Sequence, residues 1–542
     1  MSPFVPPVTS TPSPSIDSKA SILLTSTAER REIAASVAVT TFVNCHLAAP
    51  AVEENDRKPV DLVVVLDRSG SMHGDKLSLC KRTMDFLAQQ LAPHDRVALI
   101  SYDTYVTTDL HLTKMNADGK AKLAAKVAAI QAGSCTNLSG GLLAGVDEIQ
   151  RPTRFDNGEP NPVQSVLLLT DGQANEGVTS AEGLAKLLDG LLAPQVSLHT
   201  FGYGSDHDAS LLGRLADIGR GSYYFVQNVD GVALAFASCL GGLLSVVGQN
   251  IKVEVVASPG ALIACIKTKR PVTTITDQVH FEVDMGDMFA EESRDLLVQV
   301  QLTPQTPAEK MDLVEFRMRY VNVLQSTMEK ASTTVTVARP VAVTNDNVVD
   351  ESVVAQKLRV TAVEAIEAAQ QQAKKGNLRE GRQALQNVIT SVMQDMASFG
   401  APAKAQAAHL LADLNECTAN MQTQTTYQTR GHGRMQQKIQ SHWMQRQNNI
   451  EVEEESLDME CAAGTFGSDN EDEDEESGDV EESGDVDIGD LFAQRSPAPA
   501  PRARMARSSA APPAPPAPGG YSRIGNTVQM KMMKKAFKVA NK

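Results

Sequence analysis

Residues 60–66, VDLVVVL, form an apolar run too continuous for a strand with one face in water. A run like this is expected of a parallel strand covered on both faces, and parallel neighbours need crossover connections, usually helical. Leu77, Cys80, Met84, Leu87 and Leu91 recur at helical spacing directly after it. Further short runs follow at 96–102 (RVALISY), 163–170 (VQSVLLLT), 196–204 (VSLHTFGYG) and 222–226 (SYYFV), with helical or loop segments between them. Alternation of strand and helix over about 190 residues predicts an α/β domain at 60–250 built on a doubly wound, mostly parallel, Rossmann-like sheet.

From Ile251 the helical period gives way to alternation. Ile251, Val253 and Val255, then Leu296, Val298, Val300 and Leu302, then Val314, Phe316, Met318 and Tyr320 each share a face. These are half-exposed antiparallel strands, which predict a β-sandwich over 251–342. A period-2 strand from Ile33 to Leu47, within a segment spanning 21–59, has no other sheet to join. The α/β domain is therefore expected to be inserted in the antiparallel sandwich. Residues 347–450 predict an α-helical region, with helices broken at Lys375-Gly376-Asn377 and at Phe399-Gly400-Ala401-Pro402.

Charge separates the remainder. The net charge is −16, and nineteen carboxylates with no cation fall in 451–490, whereas 491–542 holds ten cations and no carboxylate. The body is close to balanced, which argues against nucleic acid as a partner. Segments 1–20 (a leader), 451–495 (acidic) and 496–542 (a Pro/Ala-rich linker and basic tail) read as disordered. Within the tail, Met530, Met533 and Phe537 share one side of a short helix and lysines the other, read chiefly as a solvated basic end. The seven cysteines are scattered and include no CxxC, which excludes a zinc ribbon or RING. The first residues lack a signal-peptide pattern. The uncharged stretch Gly231–Asn250 predicts a buried helix in preference to a transmembrane segment. Together these imply an intracellular, cytoplasmic protein.

The first strand runs straight into Asp67-Arg68-Ser69-Gly70-Ser71, a D-x-S-x-S pattern. In open α/β sheets ligands bind beyond the carboxyl ends of the strands, so this pattern delivers one carboxylate and two hydroxyls there. Thr136 lies in the loop GSCTN before a helix, and Asp171 follows the apolar strand 163–170. Five hard oxygen donors, Asp67, Ser69, Ser71, Thr136 and Asp171, suit Mg²⁺ or Mn²⁺. Asp75, Asp103 and Asp109 nearby read as solvated loop carboxylates.

Segment 60–248 resembles a von Willebrand factor type A (VWA) domain with an intact metal-ion-dependent adhesion site (MIDAS), since those five residues match all five family positions. The resemblance implies a bound Mg²⁺ with one open coordination position, filled by an Asp or Glu of a protein partner, and no catalysis. Less specifically, 30–450 is similar to intracellular plant VWA proteins of the wavy-growth group, in which a RING finger precedes the VWA domain. No Cys/His cluster precedes Val60, so ligase activity does not carry over. The expected function is thus a non-enzymatic intracellular protein-binding module. Two alternatives stand beside it. One is a RING-less adaptor of ubiquitin-ligase machinery. The other is a cation-dependent membrane-surface protein making peripheral membrane contact, like copines in bearing a VWA domain, and it rests only on the Lys/Met-rich C-terminus.

Overall fold

The first two strands, β1 (Leu23–Ala28) and β2 (Val39–Ala48), pair with each other, and β2 pairs on its other side with β13 (Ser293–Leu302). Between β2 and β13 the chain makes a complete α/β body and returns. In the computed structural model, which describes residues 21–52, 56–151, 159–205, 207–226, 229–344, 348–446 and 526–540, the described parts belong to one compact unit.

The inserted body holds six strands: β3 (Val60–Asp67), β4 (Arg96–Tyr102), β5 (Val106–Lys114), β6 (Val163–Thr170), β7 (Val196–Tyr203) and β8 (Arg220–Val226). Their order is β5-β4-β3-β6-β7-β8, all parallel except β5, which runs antiparallel to β4 at one edge. Every residue of β3, β4, β6 and β7 is buried, as continuous apolar runs require when helices cover both faces. The covering helices are α1 (Asp75–Gln90), α2 (Ala117–Ala129), α3 (Leu138–Gln150), α4 (Ala181–Leu188), α5 (Ala209–Ile218) and α6 (Val229–Leu243). Val63, Val65, Ile100, Val166 and Leu168 meet Leu142, Val146, Leu212 and Leu215 in one core, each buried side chain contributing about 1.5–3 kcal/mol.

The sandwich has a four-stranded sheet, β1-β2-β13-β10, and a five-stranded one, β11-β12-β9-β14-β15. The remaining strands are β9 (Val246–Ala257), β10 (Ala261–Lys267), β11 (Val272–Thr276), β12 (His280–Phe289), β14 (Ala308–Asn322) and β15 (Thr327–Arg339). Inward residues of both sheets, among them Val43, Cys45, Val253, Val298, Phe316 and Tyr320, share a single core. The mostly parallel sheet inserted in an antiparallel sandwich is the predicted architecture.

Two expectations need correction. The strand predicted from Ile33 begins only at Val39, and β1 lies before it. Residues 33–37 leave the ladder because Arg339, wholly buried, sets its terminal nitrogen 3.1–3.2 Å from the carbonyls of Ala34, Ala35 and Val37. Ile33 and Ala35 instead donate their amides to Ala338 and Pro340. Second, the basic end is not simply solvated: residues Thr527–Ala540 form a helix packed on α6, with Met532 and Met533 buried. The Phe537 side chain, and the predicted leader, acidic segment and linker, lie outside the described residues.

Helices α7 (Glu351–Lys374), α8 (Leu378–Met396) and α9 (Ala401–Ala419) break where predicted, and Asp350 caps α7 by accepting from the amides of Ser352 and Val353. The helix His432–Met444 lies against α7 and along β8. There Gln440 accepts from the Tyr223 amide and donates to Asp217 at 2.9 Å, so the exposed side of the sheet edge is covered.

Candidate metal centre

The sheet order places the site. The chain moves outward from β3 through β4 to β5, then returns to lay β6 on the other side of β3. Loops leaving the carboxyl ends of β3 and β6 therefore diverge, opening a crevice at the switch point. Asp67 is the last residue of β3, and Asp171 follows Thr170, the last of β6. Leu66 pairs with Leu169, so the two acids emerge side by side.

Asp67 is wholly buried and tightly oriented. Its Oδ1 accepts from the Ser69 amide at 2.8 Å, and its Oδ2 accepts from the Thr170 hydroxyl at 2.6 Å. Burial pushes its carboxyl up to about 6, against the pull of the Thr170 and Ser69 hydrogen bonds, and the Asp171 charge adds to the rise. Two carboxylates facing one crevice thus favour a cation between them.

Ser69 is buried and Ser71 exposed, their hydroxyl oxygens 3.1 Å apart across the short turn Gly70–Met72. Three loops lock together around this turn. Gly70 donates its amide to Ser134 O at 2.9 Å, and Gly133 donates to Arg68 O at 2.6 Å. Only glycine fits at 133, where a Cβ would fall 1.8 Å from Asp103 Oδ2. Thr136, buried, takes Asn175 Oδ1 on its amide at 2.7 Å, and its carbonyl accepts from the amides of Asn175 and Glu176. The loop after β6 is thereby tied to the threonine loop.

Asp171 is wholly buried, yet only one of its oxygens is engaged. Oδ2 accepts from Lys76 Nζ at 3.1 Å, whereas Oδ1 has no hydrogen-bond partner. A buried carboxylate oxygen left without a donor is costly, and an added cation would satisfy it. The donors present, two carboxylates and three hydroxyls, fit a hard divalent ion. Among the described residues no group of three or more His, Cys, Asp or Glu side chains is gathered, so a cation held here would rely on hydroxyls beside the carboxylate pair.

Three neighbours escaped sequence reading. Thr170 orients Asp67, Asn175 orients the threonine loop, and Lys76 partners Asp171; nothing in a lone Thr, Asn or Lys marks such a role. Asp103 differs from its expected solvated state. It is buried, accepts from the Tyr105 amide at 2.8 Å and pairs with Arg68 at 3.3 Å, so it braces the loop. Asp75 is exposed in the first turn of α1, and Asp109 is half-buried in β5.

Comparison with known proteins follows the same boundaries. Residues 61–236 match the von Willebrand factor type A domain model. The chain is 30% identical over 272 residues to E3 ubiquitin-protein ligase WAV3 of Arabidopsis thaliana, covering 49% of this chain and 34% of that protein. It is 26% identical over 273 residues to uncharacterized protein YfbK of Escherichia coli (strain K12), covering 49% and 46%. The chain thus spans between a third and a half of the length of these two relatives. Among solved structures, a von Willebrand factor type A protein from Catenulispora acidiphila superposes with a TM-score of 0.57 at 14% identity, covering 74% of this chain and 88% of that one. The ArnB paralog VWA2 from Sulfolobus acidocaldarius gives a TM-score of 0.51 at 13% identity, covering 78% and 98%. These structural likenesses carry the fold alone. VWA domains serve as protein-interaction modules and commonly bind a divalent cation at the strand-end site. The α/β body at residues 61–236 is therefore a von Willebrand factor type A domain, carried between strands of a β-sandwich.

Proposed function

We propose that this chain is a non-enzymatic protein-binding module that captures an Asp or Glu of a partner protein through a divalent cation, Mg²⁺ or Mn²⁺. Asp67, Ser69, Ser71, Thr136 and Asp171 would hold the ion. When bound, it supplies a Lewis-acidic position for one more anionic oxygen. The observation that carries the reading is the buried, unpartnered Oδ1 of Asp171 beside Asp67 at the switch point. The chain's own residues do the rest. Thr170 and the Ser69 amide fix Asp67, the interlocked loops fix the hydroxyls, and exposed Ser71 marks the side open to a partner. Among the described residues no helix is long and apolar enough to cross a membrane.

Calorimetric titration of the full chain with Mn²⁺ tests the metal, and Ser69→Ala and Asp171→Asn are expected to weaken binding at least tenfold with an unchanged circular dichroism spectrum. Equal affinity in all three proteins would refute the assignment.

A second reading rests on the 30% identity to the ligase WAV3: an adaptor that works with separate ubiquitin-ligase subunits. Affinity purification that repeatedly recovers RING-type subunits would favour it, and their absence would remove it.

A further inference from the structure

The described part of α6, Leu234–Leu243, is buried on all sides. From Leu234 to Leu244 no residue is even half-exposed, and Gly231–Asn250 contains no charge. A helix of this kind needs cover on both faces. Its inner face is met by the sheet, where Phe236 stacks on Phe201 of β7 with centroids 4.1 Å apart. Across Gly241 the cover is the C-terminal helix. A Cβ on Gly241 would lie 2.6 Å from Gln529 Cα, so the two backbones touch. Gln529 donates its side-chain amide to Ser238 O at 2.9 Å, and Asn526 donates to the Ser245 hydroxyl at 2.8 Å. The Thr527 amide and hydroxyl both reach the Glu291 carboxylate, at 2.8 and 2.7 Å. Met532 and Met533 complete the apolar contact while Lys531 and Lys535 face outward. Ser238, Gly241 and Ser245 therefore form a small-residue groove read by specific bonds at the start of the docked helix.

We propose that the outer face of α6 is a helix-docking groove whose occupant is the segment 526–540, and that this segment of a second copy takes the same seat. The connection permits the exchange: 79 residues separate Arg446 from Asn526, and an extended chain reaches about 3.3 Å per residue, far beyond one molecule. The occupant is also the sequence whose complementarity is visible, with three polar side chains bonded at the groove and two methionines adaptable enough to repack on transfer.

A labelled peptide of residues 518–542 is titrated into three full-length proteins: wild type, the Met532→Asp/Met533→Asp variant whose own helix is disabled, and that variant with Gly241→Val added. The peptide should bind the disabled chain at least tenfold more tightly than wild type, and Gly241→Val should abolish binding. Equal binding to the Gly241→Val protein, or none to the disabled chain, overturns the groove. Hydrogen exchange of wild type decides the groove even if a variant misfolds: amides 531–540 should exchange at least tenfold more slowly than in the free peptide, and unprotected exchange overturns it. Sedimentation of wild type should show a concentration-dependent dimer that Gly241→Val removes. A strict monomer overturns exchange between copies. Binding of wild type to phosphatidylserine vesicles with loss of that protection would assign the helix to a membrane and also overturn the proposal.

Discussion

Lys76 Nζ lies 3.1 Å from Asp171 Oδ2, so an ammonium from the first turn of α1 sits beside the carboxylate proposed to bind a metal. The side chain is a quarter exposed. As a resident positive charge it opposes a second cation. Lys76→Met should tighten Mn²⁺ binding about tenfold, the scale of a partly screened charge. Titration calorimetry at fixed ionic strength measures it, and weaker binding in the variant would contradict this role.

Thr170 acts through Asp67. Its hydroxyl donates to Asp67 Oδ2 and accepts from the Gly172 amide at 2.8 Å. Thr170→Val keeps the shape and removes both bonds. Metal affinity should fall about 10- to 100-fold, the usual cost of losing a residue that orients a ligand. Thr170→Ser should restore most of it, whereas a uniform loss of melting temperature in both variants would point to packing alone.

His199 supplies a pH dependence. Burial within β7 pulls its imidazole down to about 3, and Nδ1 accepts from the Ser222 amide at 3.1 Å, so the folded protein holds it neutral. A folded-state value below the unfolded one near 6.5 means that the unfolded chain binds the proton first. Stability should therefore be complete above about pH 6.5 and fall towards pH 3 by up to about 1.4 kcal/mol per pH unit. Urea denaturation between pH 7 and pH 4 measures the slope, and His199→Asn should flatten it. An unchanged slope would assign the acid sensitivity to other groups.

Phe236 joins α6 to the sheet. It is 1% exposed and stacks on Phe201. Phe236→Ala should cost about 3–5 kcal/mol, read as a lower guanidinium midpoint. A loss under 1 kcal/mol would mean that the site collapses around the gap.

The inserted α/β body was legible because both-face burial leaves unbroken apolar runs, and runs at 60–66 and 163–170 became β3 and β6. The sandwich was legible from alternation, for instance at Val314 to Tyr320. The five candidate donors stood out in the sequence because D-x-S-x-S sets three oxygen-bearing side chains on one turn. What escaped was set by distant contacts. No local signal says that Arg339 takes the carbonyls of Ala34, Ala35 and Val37 and so shortens the first predicted strand. Nor does the lysine-rich end announce that Gln529 fits a glycine some 290 residues earlier; its basic composition pointed to water. Lys76, one lysine among many, has no distinguishing pattern until the fold sets it against Asp171.

The pairing of β2 with β13, from Val39↔Leu302 to Ser293↔Ala48, has a consequence for how the chain is assembled. On the ribosome the amino-terminal hairpin must wait for roughly 240 further residues before its neighbouring strand emerges. Closing so long a loop from an open coil costs about 5 kcal/mol of entropy, and prior folding of the insert removes most of that by bringing its two ends together. A fragment trimmed to begin at Val60 would deprive Leu296, Val298 and Val300 of their partners on β2 and turn a paired strand into a sticky edge.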